Sequence, residues 1–207
     1  SNNAGQDICD IVNNEGFDFL LVGSGISMSD SPDDIAATRY RTSFYNRYFK
    51  RFKAPESWFY PGALLKDKTK MFIARSNCDV GVFINRNFVK ATNTLVVISS
   101  EEDLFLLDYT RTLLKATHGS VGIVAKMSTT TPGHDQILKE LWDFVSSTPQ
   151  TQLLPDKDLT PGLFNSYNFM LIGYNTWNDV SEHRKEALQK MPSTLILNKN
   201  KRSSSDN

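Results

Sequence analysis

The stretch FDFLLVGSG, Phe17 to Gly25, recurs later in the chain as YNFMLIGYN, Tyr167 to Asn175. In both, an aromatic and a polar residue lead into Phe, three apolar residues and a Gly. A second pair accompanies the first: CDVGVFINRN over 78–87 and MPSTLILNKN over 191–200, each an apolar run followed by Asn, a basic residue and Asn. Several elements recurring in order constrain a fold more than any single motif, because each copy must build the same supersecondary unit. The chain is therefore expected to hold one whole α/β unit preceded by the back half of another.

Apolar, β-rich runs near 17–23, 80–85, 94–99, 120–126, 168–173 and 194–198 alternate with helical patterns, which predicts βα units around a parallel sheet. These runs are rich in Val, Ile, Leu and Phe without clean polar alternation, so burial on both faces is expected. Over 101–116, Leu104, Leu107, Thr110, Leu113 and Leu114 mark one helical stripe, with Ser99 or Ser100 as its cap and acidic residues at its positive end. Over 134–146, Ile137, Leu138, Leu141, Trp142 and Val145 repeat at helical spacing. A third helix is expected over 179–190, capped by Asp179 or Ser181 and stopping near Pro192. The segment 148–165, with three prolines, reads as a long loop.

This organisation divides the chain into a partial unit over 1–90 with an insertion at 26–62, a complete unit over 91–200, and a polar tail at 201–207 expected to be disordered. A half-unit leaves sheet edges and helix faces open, so the natural polypeptide is expected to extend upstream, and self-association through those edges is a second expectation.

Composition narrows the function. Of 207 residues, 40% are hydrophobic, enough for one or two cores. Lysine plus arginine (23) balance aspartate plus glutamate (23), so no global field recruits nucleic acid or an anionic membrane. Cys9 and Cys78 have no CxxC spacing, which suits a reducing compartment. No apolar run approaches the roughly 18 residues of a membrane span.

The segments DICDIVNNEGFDFLLVGSG (7–25), NCDVGVFINRN (77–87), TLVVISSEEDLFLLDYTRTLLKATHGSVGIVAK (94–126) and YNFMLIGYN (167–175) carry a resemblance to a known family. Together they resemble the cytosolic C-terminal, universal-stress-protein-like region of monovalent cation/proton antiporters, the fungal potassium/proton antiporters and the related plant cation/H⁺ exchangers. The resemblance implies an α/β parallel-sheet sandwich of the universal-stress-protein-like (adenine-nucleotide alpha-hydrolase-like) kind. It further implies a regulatory domain at the cytosolic side of an endomembrane, whose partner is the membrane portion of the same antiporter. Ion translocation would lie in that membrane portion. A nucleotide- or small-molecule-sensing domain of the stress-protein type is the alternative.

Three candidate sites follow. Gly23, Ser24 and Gly25 begin a phosphate-type loop, and Gly173 is its counterpart in the second copy, but Met28 interrupts a Gly-x-Gly-x-x-Gly pattern. The aspartate that follows the first strand in ATP-binding stress proteins is replaced near Ile98. No cofactor is expected; strand-end glycines explain the pattern as well. The second candidate is the insertion, where a helix would align Tyr40, Phe44, Tyr48 and Phe52 at i, i+4 spacing, with Arg39, Arg41, Arg47, Lys50, Arg51 and Lys53 around them. That surface either packs on its own domain or docks on an anionic membrane, the transporter or a second subunit. Single-stranded nucleic acid is disfavoured by the neutral charge and the lack of an RNA-binding motif. Third, His118, His134 and His183 are isolated, so no metal site and no enzyme is expected; His118, beside Gly119, reads as a helix-end residue.

Overall fold

The computed structural model describes residues 4–23, 67–127, 133–155, 159–183 and 190–200. Seven strands are present among them: β1 (Phe19–Gly23), β2 (Asp79–Ile84), β3 (Asn93–Ile98), β4 (Ser120–Ala125), β5 (Thr151–Pro155), β6 (Phe169–Gly173) and β7 (Ser193–Asn198). The helices are α1 (Ala4–Glu15), α2 (Asp67–Arg75), α3 (Leu106–Thr117), α4 (His134–Ser147), α5 (Pro161–Phe164) and α6 (Tyr174–His183). The strands form one sheet in the order β1-β2-β7-β6-β3-β4-β5. All neighbours are parallel except β2 and β7, which run antiparallel.

That antiparallel seam relates the two copies. Phe19 stands opposite Asp79 as Phe169 stands opposite Ser193, and Gly23 faces Phe83 as Gly173 faces Leu197. The equivalence matches Val82 with Ile196, and those two residues lie directly across the seam. On either side, Val80 pairs with Asn198 and Ile84 with Thr194, which are the same pair seen from the two copies. The seam is thus a local two-fold axis through Val82 and Ile196. Register also refines the repeat. Ile84, not Asn85, matches Asn198, so the two Asn-basic-Asn endings are offset by one residue.

Both faces of the sheet carry a core. One cluster holds Val82, Met170, Ile172, Trp177, Val180 and Ile196, with Val22 packed against it. The other holds Val96, Ile98, Leu106, Ile137, Leu141, Phe144, Phe169 and Leu171. Residues of even number on β6 therefore face the first cluster and odd ones the second, as a period of two requires. Strands buried on both sides need no polar alternation, which explains the apolar runs of β3, β4 and β6. The expected burial fails at β1, an edge strand, where Phe19 and Leu21 are exposed.

Three other expectations are corrected. The long loop over 148–165 contains β5 and the short helix α5; β5 tolerates Pro155 because, among the described residues, only β4 pairs with it. The helix expected over 179–190 begins at Tyr174, directly after β6, and neither Asp179 nor Ser181 caps it; Ser181 lies inside and donates to the Asn178 carbonyl. The helix expected over 101–116 is split into a 3₁₀ turn, Glu101–Asp103, and α3. The tail at 201–207 and the insertion at 26–62 lie outside the described residues.

Side chains reinforce the seam. Tyr109 Oη on α3 donates to Asp79 Oδ2 at 2.9 Å, while Asp79 Oδ1 accepts from the Asn200 amide at 2.8 Å. Burial, and then the bond to Asp79, raise the Tyr109 phenol above its ordinary range. A raised folded-state value means that the neutral phenol is favoured by folding, so its contribution is complete below the unfolded value and is lost above it. Stability is therefore expected to fall as pH rises beyond about 10, measured by urea unfolding, and Tyr109→Phe is expected to remove that component of the fall. Ile196→Ala is expected to cost about 2–5 kcal/mol in one cooperative transition. Two separate transitions would show that the copies fold independently.

Candidate functional site

In open α/β sheets, ligands bind outside the carboxyl ends of the strands where the connections diverge to opposite sides. Here that point lies between β3, whose chain leads on to β4, and β6, whose chain leads on to β7. The two strands end in Ile98 and Gly173, and α6 starts at Tyr174 with no linker. The first amides of a helix lack partners within it, so this corner favours negative charge.

The chain's own carboxylate fills the corner. Asp103, only 2% exposed, reaches back from the 3₁₀ turn. Its Oδ2 accepts from the Ser99 amide at 2.9 Å, the Ser99 hydroxyl at 3.2 Å, the Ser100 amide at 3.2 Å and the Thr176 hydroxyl at 2.6 Å. Thr176 lies in the first turn of α6, and beside it Asn175 Nδ2 donates to Glu102 Oε2 at 2.7 Å. Two acidic residues of one turn thus hold the start of α6. The other oxygen of Asp103 lies over Gly173, where an added Cβ would stand 2.0 Å from Oδ1. Gly173 is required by Asp103, whatever else it does.

Beside this network lies a crevice of about 220 Å³. Phe105, Tyr174, Asn175, Asn198 and Lys199 are among its lining residues. Ligand pockets commonly hold about 300–1,000 Å³, so the space is small. Lys199 brings a positive charge, and Glu102 and Asp103 bring two carboxylates.

The predicted residues are scattered. Gly173, at the end of β6, borders the crevice, whereas Gly23 ends β1, three strands from β6, and among the described residues nothing lies where its Cβ would go. Ser24, Gly25, Arg39, Arg41, Arg47, Lys50, Arg51 and Lys53 lie outside the described residues. His118 ends α3 in the left-handed conformation, φ 52°, and its amide donates to the Leu114 carbonyl. His134 Nδ1 meets Asp135, and His183 Nδ1 meets the Asp179 carbonyl. Among the described residues, no group of three His, Cys, Asp or Glu side chains could hold a metal. Cys9 and Cys78 are both buried thiols. Asp103 and Thr176 were not singled out by sequence. The one available signal was the spacing Ser100-x-x-Asp103, a capping-box pattern.

No family model matches the sequence, and no curated protein does either. Among solved structures, a universal stress protein from Archaeoglobus fulgidus matches with a TM-score of 0.52 at 10% identity, over 95% of this chain and 66% of that one. The fold is universal stress protein-like. A functionally unknown protein from Pseudomonas aeruginosa aligns over 97% of this chain and 69% of its own, with TM-score 0.49 and 11% identity. This chain spans about two thirds of the Archaeoglobus stress protein.

Gly173→Ala is expected to destabilise the fold by about 1–3 kcal/mol. In an Asp103→Ala background the same change is expected to cost less than half as much, since the clashing oxygen is gone. Additive costs in the double-mutant cycle would contradict the contact.

Proposed function

We propose that this chain is a regulatory interaction module of a membrane cation/proton antiporter, modulating exchange of K⁺ or Na⁺ for H⁺ from the cytosolic side. The observation that carries the reading is the Asp103 network. The donors at the strand-end corner, the amides of Ser99 and Ser100 and the Thr176 hydroxyl, already serve a buried carboxylate, so an anion placed there would meet like charge. A stress protein-like fold whose strand-end corner is closed from within is suited to transmitting contacts, not to holding an anion. The sequence resemblance supplies the transporter, and the pairing of β2 with β7 in one sheet supports a route by which a contact at one copy would reach the other. No helix among the described residues is long and apolar enough to cross a membrane, so the transport path would belong to another part of the protein.

A second reading, small-molecule sensing, draws on the crevice beside Lys199, Asn175 and Tyr174. Calorimetry separates the two: ATP, AMP and cyclic dinucleotides at millimolar concentration are expected to give no binding heat, whereas a saturable heat lost on Lys199→Ala would favour the sensor. The transporter reading is tested on vesicles that carry the whole natural polypeptide. Deleting this segment is expected to change K⁺/H⁺ exchange by about five-fold or more with membrane insertion unchanged. Unaltered exchange, or a natural reading frame without apolar spans, would contradict it.

A further inference from the structure

The crevice beside Gly173 has opposite charges on its two sides. In the sheet, β6 lies between β3 and β7. The turn that follows β3 brings Glu102, Asp103 and Phe105 to one side, and the end of β7 with the residues after it brings Lys199 and Asn200 to the other. Gly173 and the start of α6 lie between them. Two strand spacings separate β3 from β7 by about 10 Å, a gap that two side chains and a small ligand fill.

One oxygen on the acidic side is left over. Asp103 is 2% exposed, yet all four of its hydrogen bonds end on Oδ2. Its Oδ1, over Gly173, accepts none among the described residues. An ionised carboxylate accepts at both oxygens, and a buried charge is costly unless it is paired and hydrogen-bonded. On the opposite side, Lys199 is exposed and forms no ion pair among the described residues. Each simple class of ligand fails on one of these sides. An anion meets two carboxylates and a bare cation meets Lys199. A nucleotide brings several negative charges to a space of about 220 Å³. A small molecule with one charge of each sign meets neither obstacle.

We infer that the crevice binds a small amino acid, its ammonium donating to Asp103 Oδ1 and its carboxylate facing Lys199. The rings of Phe105 and Tyr174, which also line the crevice, would border its apolar part. The inference rests on the small-molecule reading of this crevice and names the ligand class. Occupancy would also have a route across the seam: Asn200, next to Lys199, donates through its amide to Asp79 and through its side chain to the Ser76 carbonyl, both in the partial copy.

The test is calorimetry and backbone amide-shift titration on the full chain, with each of the common L-α-amino acids and γ-aminobutyrate as probes. At least one is expected to bind with a Kd of about 1 mM or tighter and to shift the amides of Gly173, Asn175 and Lys199. Its N-acetyl derivative lacks the ammonium and its methyl ester lacks the carboxylate. Each is expected to bind at least about ten-fold more weakly. Lys199→Glu, at an exposed position, should leave the unfolding midpoint unchanged and reverse the preference between the amino acid and its methyl ester. Absence of binding by every probe would overturn the inference. So would binding that is indifferent to both derivatives or to Lys199→Glu. Saturable heat with ATP or AMP alone would overturn the amino acid and keep the sensor, whereas no heat with any of these compounds would remove both.

Discussion

The β2–β7 seam is the constraint on which the rest of the structure depends. Each copy contributes a parallel pair, β1 with β2 and β6 with β7, and a parallel pair alone leaves an edge of unpaired amides and carbonyls. Joining β2 to β7 antiparallel removes both edges at once and places Val82 against Ile196 in a core that neither copy could close alone. The second face confirms the join: Phe83 from one copy and Phe169 from the other lie 6.5 Å apart, with Phe88 packed on both. One sheet results where the sequence shows two copies of a motif.

From the seam outward, the copies diverge in what covers them. The complete copy is closed at its strand ends by Asp103 and along its edge by β3. The partial copy has nothing among the described residues over Gly23, and Leu21 is exposed. The asymmetry gives each half a different capacity. In the complete half, a buried carboxylate with four hydrogen-bond donors costs little to keep and much to disturb. The partial half has Phe19 and Leu21 exposed along β1.

Much of this was legible in the sequence. Six strands announce themselves through apolar runs that have no competing helical period, and the repeat of Phe, three apolar residues and Gly identifies which strands correspond. What escaped has physical reasons. β5 is five residues ending in Pro155 at the sheet edge, so neither length nor composition marks it. α6 starts on Tyr174, Asn175 and Thr176, residues with weak helical preference, and is held by tertiary bonds from Glu102 and Asp103 in place of a local cap. Asp103 itself reads as one more acid at a helix start; only the fold brings Gly173 beneath it. The exposure of β1 was concealed because an apolar run looks the same whether or not a neighbour arrives to cover it.

The account rests on register at the seam, and nuclear Overhauser effects across it measure that most directly. Contacts of Val82 with Ile196, Val80 with Asn198 and Ile84 with Thr194, alongside parallel contacts of Leu21 with Gly81 and Leu171 with Leu195, are the predicted set. A slipped register, with Val82 facing Leu195 or Leu197, or a seam in which β2 and β7 run parallel or do not meet, would contradict it.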